Sequence, residues 1–348
     1  MNFITNSSAT APFQFAVAYL DHNHIYGQTT GLVEAGATVT RVFDPNPAKI
    51  LAFINKYPNA VVARSFEEIL DDPNIHLVVS AAIPDKRAQI GKKVMLSGKD
   101  YFTDKAPFTT RKQLATIQKT VAMTKCKYLV YYSERLHNWP TYHAGELIRS
   151  GAIGKVLQVL ILAPHNLDKK NRPKWFFKKK RYGGILTDLG SHQFEQMLYF
   201  TNAQSATINH CRVANFANPD TPELEDFGEA LITLDSGASG YCRVDWFNPE
   251  SSKTWGDGRA FVLGTTGYIE IRKNIDLCNG NHYPRIILVN DSEERTTLFK
   301  ENKNLPFFKK LISDCVNRTE TAITQKHIYA TANLTLKAQE LADQPPLL

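Results

Sequence analysis

The stretch FQFAVAYLDHNHIYGQTTGLVEAGATVTRVFD, residues 13–44, decides the fold. It opens with an apolar run at 13–20 and passes through a short polar loop. It then continues with helical apolar spacing up to Gly36 and ends in a second apolar run at 38–43. A strand, a helix and a strand in about 30 residues make a βαβ unit. Gly36 stands where a helix C-terminus needs a residue tolerant of positive φ.

The alternation continues outward. Apolar runs AVVA (60–63), HLVVSAAI (76–83), DYFT (100–103) and KYLVYY (127–132) alternate with helical patterns. Their near-continuous apolar character is that of strands covered on both faces. Gly98 reads as a second helix stop, and Thr110 with Gln113 has the spacing of a capping box. Six strands with intervening helices predict a doubly wound parallel sheet, a Rossmann-type dinucleotide-binding domain over residues 1–132.

After Ser133 the pattern changes. A helix at 139–150 leads to KVLQVLILA (155–163), and a helix at 186–200 precedes seven strand-like runs with no helix among them. These runs lie at 207–216, 228–234, 239–247, 260–264, 268–273, 285–290 and 295–299, with GTTG (264–267) as a hairpin turn. Helices at 305–317 and 326–341 close the chain. The expected fold class is therefore α/β: the Rossmann domain plus a C-terminal α+β domain, 133–348, carrying a large open, mainly antiparallel sheet, substrate contacts and an oligomer face. Aromatic residues such as Trp246, Phe247 and Trp255 belong in or near those strands, so one sheet face needs a cover, and symmetric pairing of two copies is a common one.

A length of 348 residues suits two domains, and 43% hydrophobic with 22% charged residues is ordinary globular composition. Disordered, collagen-like and coiled-coil classes are excluded. The net charge of +7 resides in one segment, 169–181, with eight Lys and Arg and no acid. A nucleic-acid binder spreads such charge over a face, so no nucleic-acid partner is expected; a solvated loop or an anionic ligand accounts for it. The five cysteines, 126, 211, 242, 278 and 315, have no metal or redox spacing and suit reduced thiols in the cytoplasm. The opening MNFITNSSATAP has no basic, apolar leader pattern, and no apolar run approaches the roughly 20 residues of a bilayer span. No membrane association is expected.

In a doubly wound sheet, ligands bind beyond the carboxyl ends of the strands. After the first strand, glycines would let a backbone approach a diphosphate; here stand Asp21, His22, Asn23 and His24, and a carboxylate at 21 repels a diphosphate unless it is turned away. Two histidines are an incomplete ligand set, so these are cofactor-side or helix-capping residues and no metal is expected. Asp44 ends the second strand, the place of a ribose acceptor favouring NAD over NADP, although Asp-Pro-Asn-Pro is also a turn and helix start. Pro84 follows the fourth strand and Lys105 the fifth. In DLGSH, Asp188 and His192 are four apart, so one helix would present both on one face, where a carboxylate orients an imidazole and raises its basicity. A structural ion pair is the competing reading.

DxGxH after the glycine pair Gly183–Gly184, with an acid-Lys motif about eighty residues earlier after the fifth Rossmann strand, resembles the glucose-fructose oxidoreductase, inositol dehydrogenase and MocA family. SGKD (97–100), GAIGKV (151–156) and GTTGYIEI (264–271) extend the resemblance over almost the whole chain. It implies NAD- or NADP-dependent oxidation of a sugar or polyol hydroxyl between two domains, in a dimer or tetramer, with the acid at Asp44 pointing to NAD over NADP. By matching position it implies Lys105 as the motif lysine at cofactor and substrate, and Asp188 and His192 as the dyad. Two departures stand out: Glu-Lys-Pro is Asp104-Lys105-Ala106, and the glycine-rich first turn is Leu-Asp-His-Asn-His. His165, Arg172, Trp175 and Tyr182 flank the dyad as candidate polyol contacts. A ligand-binding regulator on the same fold is the alternative function.

Overall fold

The computed structural model describes residues 12–275, 283–300 and 305–344; the opening segment and Cys278 lie outside them. The first sheet comprises β1 (Gln14–Ala18), β2 (Thr38–Phe43), β3 (Val61–Val62), β4 (Leu77–Ser80), β5 (Asp100–Asp104) and β6 (Tyr128–Tyr131). It is parallel, in the order β3-β2-β1-β4-β5-β6. Helices α1 (His24–Glu34), α2 (Pro47–Lys56), α3 (Phe66–Asp71), α4 (Pro84–Leu96) and α5 (Arg111–Thr124) connect the strands. Strands β4, β5 and β6 are buried at every residue, as their apolar runs require. The strand order reverses between β1 and β4, which opens a crevice at their carboxyl ends. Gly36 and Gly98 have φ of +99° and +82°, as expected of helix stops. Thr110 caps α5 by accepting from the Gln113 N–H at 3.3 Å, while the Gln113 carbonyl oxygen accepts from the Thr109 N–H at 2.7 Å, one residue before the expected box.

Then follow α6 (Ser133–Leu136), α7 (Trp139–Arg149), β7 (Val156–Pro164), α8 (Lys179–Tyr182), α9 (Ile185–Asp188) and α10 (Gly190–Thr201). Strands β8 (Ala206–Ala214), β9 (Phe227–Leu234), β10 (Ser239–Asp245), β11 (Arg259–Gly264), β12 (Gly267–Arg272), β13 (Arg285–Asn290) and β14 (Glu294–Leu298) precede α11 (Pro306–Asn317) and α12 (Gln325–Ala342). The second sheet runs β14-β13-β12-β11-β7-β10-β9-β8 and is antiparallel except where β7 meets β10. GTTG joins β11 to β12 as the expected hairpin. Buried and partly open residues alternate along β9, β10 and β11, and helices α7, α9, α10 and α12 cover the buried face.

Three features differ from the sequence reading. The single helix expected at 186–200 is two, α9 and α10, separated at Leu189. Trp246 points into the core, 7% exposed, and is not on the open face, whereas Phe247 and Trp255 are exposed. The last helices do not belong to the second domain alone: Phe307, Phe308, Leu311, Ile328 and Leu336 join the Rossmann core, while Leu334 and Ala338 join the other. A Cβ on Gly31 of α1 would lie 2.2 Å from the Phe308 ring, so glycine is what lets α1 and α11 touch.

Four of the eight cations of the basic segment are paired with acids. Lys169 pairs with Asp220, Lys178 with Glu223, Lys179 with Asp343 and Glu225, and Arg181 with Asp85 of α4. Among the described residues no helix is long and apolar enough to cross a membrane.

Candidate active site

Lys105 leaves the carboxyl end of β5 and its Nζ donates to Asp188 Oδ1 at 2.8 Å; both side chains are buried. The pair joins the two domains. Arg87, one turn into α4, holds the segment that carries the lysine. Its Nε donates to Ala82 O at 2.7 Å, Nη1 to the carbonyls of Lys105 and Ala106, and Nη2 to Asp104 Oδ2 at 3.2 Å. The Lys105–Ala106 peptide is cis. Asp104 Oδ1 also accepts from His24 Nδ1 at 2.9 Å and from the Lys105 N–H at 2.8 Å. Burial works against the Asp104 charge, but His24, Arg87 and His22 outweigh it and hold the carboxyl well below the usual range.

Asp188 is anchored from behind. Gln339 of α12 accepts from the Leu186 and Thr187 N–H groups, and Glu225 accepts from the Ile185 N–H at 2.7 Å. Gly184 makes this possible: its φ is +93° and a Cβ would sit 2.2 Å from the Gln339 side chain. The expected bond from Asp188 to His192 is not formed; the carboxylate faces Lys105 instead. His192 is buried, its Nδ1 has no hydrogen-bond partner, and burial pushes its pKa down to about 3. The carboxylate that opposes this shift is Glu134, directly after β6, which accepts from Lys273 Nζ at 2.8 Å and Gln193 Nε2 at 3.2 Å, with His165 Nε2 at 3.6 Å. Burial opposes the charge of Glu134, yet Lys273, His192 and His165 hold its carboxyl well below the usual range. Burial also lowers His165, so it and His192 are neutral near pH 7.

At the β1–α1 loop the Asp21 carboxylate is turned toward Lys49 Nζ, at 2.5 Å, and the Ile83 N–H just before Pro84, at 3.2 Å. Its charge is thereby neutralised. Asn23 is the N-cap of α1 without a side-chain capping bond, and no acid stands in the first turn. A helix start with no acid and a neutralised carboxylate fits the diphosphate of a dinucleotide, with Asn23, Lys49 and the backbone around Pro84 as the residues to hold it. Asp44 is used differently from the expectation: its side chain is 1% exposed, and its oxygens accept from the Leu20 and Asn46 N–H groups at 2.7 and 2.8 Å. Discrimination of NAD from NADP therefore does not rest on a free carboxylate at 44. His22, His24 and Asp104 each offer a ligating atom within 4.8 Å of one another, a third ligand that sequence spacing did not show. The Asp104 oxygens are nonetheless occupied by donors from His24, Arg87 and Lys105.

Of the four expected polyol contacts, His165 and Arg172 converge on Trp246, at 5.7 and 4.9 Å from its ring. Tyr182 is a structural residue instead, fully buried, donating to Glu223 O and accepting from the Glu225 N–H, each at 3.0 Å. Trp175 packs on Phe176, 5.8 Å between ring centroids. The sequence reading missed Arg87 and Glu134. Arg87 falls on the buried stripe Pro84, Ala88, Gly91, Met95 of α4, and Glu134 follows a strand end; both signals were available.

Residues 18–132 match the family model described as an oxidoreductase family with an NAD-binding Rossmann fold, and residues 142–270 match the GFO/IDH/MocA C-terminal domain. The crystal structure of a protein from Erwinia carotovora atroseptica described as an oxidoreductase is 41% identical, covers 95% of this chain and 99% of that one, and has a TM-score of 0.91. Levoglucosan dehydrogenase of Pseudarthrobacter phenanthrenivorans is 26% identical over 69% of this chain and 63% of its own length. D-xylose dehydrogenase of Paenarthrobacter nicotinovorans is 26% identical over 42% and 39%. The chain thus spans less than two thirds of these curated relatives. With both halves of the architecture matched, the chain belongs to the Gfo/Idh/MocA oxidoreductase family, whose N-terminal domain is an NAD-binding Rossmann fold.

Proposed function

We propose that this protein is an NAD-dependent dehydrogenase that oxidises a hydroxyl of a sugar or polyol. The observation that carries this reading is the buried Lys105–Asp188 pair at 2.8 Å, beyond the carboxyl ends of the Rossmann strands and beside a neutral, buried His192. NAD, when bound, supplies the hydride acceptor. Lys105 donates a hydrogen bond to the reacting oxygen and favours its alkoxide character; Asp188 fixes the ammonium. His192 is unprotonated at neutral pH with Nδ1 free, and it accepts the hydroxyl proton as Lys105 stabilises the alkoxide; its low pKa makes it a weak base that needs that help. Asp188 thus acts through Lys105, in place of the imidazole partner first expected. Relatives named for D-xylose and levoglucosan support a carbohydrate substrate.

The open sheet face supports a homo-oligomer. Leu231, Tyr241, Leu160 and Phe261 are cross-strand neighbours on β9, β10, β7 and β11, and form an outward apolar band that no helix of the described residues covers. A second copy placing its own band there buries both.

Mixing the protein with NAD and a panel of sugars and polyols while following absorbance at 340 nm tests the function. A substrate-dependent rise is expected. Binding of sugar without any NADH formation would favour the regulator reading.

A further inference from the structure

Among the described cations of the 169–181 segment, Arg172 is set apart by its aromatic surroundings; Lys170, Lys174 and Lys180 likewise reach no acid but have no ring contact. Lys169, Lys178, Lys179 and Arg181 reach acids, whereas no carboxylate of the described residues lies within 4.0 Å of Arg172. Its guanidinium is instead set among rings, 4.3 Å from Phe176, 4.9 Å from Trp246 and 5.0 Å from Trp255. Its Nε donates to Leu167 O at 2.9 Å, the hydrogen bond it makes among the described residues. Neither Nη group has a hydrogen-bond partner among the described residues, so both stay free to donate beside the rings.

This fork belongs to the site. His165 packs on the same Trp246 ring, and His165 and Trp255 line a cavity of about 170 Å³ together with Glu134, Lys273 and Gly256. Elsewhere in the site the charges cancel in pairs: Lys105 with Asp188, Lys273 with Glu134 and Arg87 with Asp104. His165 and His192 carry no charge at neutral pH. Around the Lys105–Asp188 centre, Arg172 is the cation with no carboxylate of the described residues within 4.0 Å. Burial disfavours even this charge, and Asp188 is the first carboxylate that acts to retain it. A buried-edge cation with a free planar fork is matched by a single planar anion.

Resting on the dehydrogenase reading above, we propose that the substrate is a polyol bearing one carboxylate, a uronate or aldonate, held bidentately by Arg172. A neutral sugar would leave the guanidinium desolvated and unpaired, and a phosphate dianion would bring a second charge with no cation to meet it.

The test compares kcat/KM for glucuronate, galacturonate and gluconate with glucose, galactose and glucitol in the wild-type protein. A preference of about 10-fold to 100-fold for the acids is expected, the range of one charged hydrogen-bonded pair. It should weaken as salt rises, whereas rates with neutral sugars should not follow salt in the same way. Arg172→Met, which keeps an apolar stem among the rings, should bring the acid-to-neutral ratio near one; where it fails to fold, Arg172→Lys, with charge but no fork, should give an intermediate ratio. Equal or better turnover of neutral sugars, or a preference for glucose 6-phosphate over glucuronate, overturns the carboxylate proposal and leaves the dehydrogenase standing. Glucuronate binding by calorimetry without turnover, lost in the Arg172 variant, supports the carboxylate site and overturns the dehydrogenase. Absence of both binding and turnover of the acids overturns the proposal.

Discussion

Lys105 and Asp188 come from different domains, and each neutralises a charge the other buries. Removing the carboxylate leaves an ammonium without its counter-charge, a change that costs roughly 3–5 kcal/mol when a buried pair is broken. Asp188→Asn should therefore lower the free energy of urea unfolding by that amount, and with it the midpoint, while Lys105→Met combined with Asp188→Leu should recover most of it. An unchanged midpoint in the single variant would remove the pair from the account. His192 gives a pH signature. Its folded pKa is about 3 and its unfolded value near 6.5, so between those values the unfolded chain binds the extra proton. Stability contributed by keeping this group neutral is fully present above about pH 6.5 and is lost as pH falls toward 3, by about 1.4 kcal/mol per pH unit at most. His22 and His165 shift in the same direction, so His192→Gln should reduce the slope of Tm against pH between 4 and 6 by one group's share and not abolish it. An unaltered slope would contradict the burial of this imidazole. Both residues of the dyad were legible in DLGSH, because the motif is compact. Lys105 was legible too, but its pairing with Asp188, 83 positions away, was not, because spacing within DLGSH points the carboxylate only toward His192.

Among the elements, α4 does the most to shape the site, since Arg87 on its buried stripe ties the β4 and β5 ends together. Arg87→Met should cost roughly 3–5 kcal/mol in urea unfolding, because it strands the Asp104 carboxylate and the carbonyls of Ala82, Lys105 and Ala106. Arg87→Lys should recover only part, having charge without the planar fork; full recovery would mean that charge alone matters there. Gly31 tests the α1–α11 contact: Gly31→Ala should lower stability by roughly 1–3 kcal/mol through overpacking against Phe308, and an unchanged thermal midpoint would contradict that close approach. The parallel strands were readable because strands buried on both faces leave near-continuous apolar runs. The return of α11 to the Rossmann core was not, because amphipathic spacing says that a helix has a buried side but not which core receives it.

For the whole molecule, the apolar band across β9, β10, β7 and β11 predicts a homo-oligomer at micromolar concentration by light scattering, and Leu160→Asp with Phe261→Asp should yield monomers. A wild-type monomer would contradict the paired-face account. The two-domain architecture and its open sheet were legible in the order of runs along the chain. The pairing of the basic segment was not, since its acidic partners, Asp85, Asp220, Glu223, Glu225 and Asp343, come from three separate regions. The central claim, that a neutral His192 takes the proton of a hydroxyl activated by Lys105, is tested most directly by the turnover of His192→Ala measured with its thermal midpoint on one preparation. The account predicts a fall in kcat of about 10²-fold to 10⁴-fold with NAD affinity little changed; a merely destabilised protein with wild-type turnover per folded molecule would contradict it.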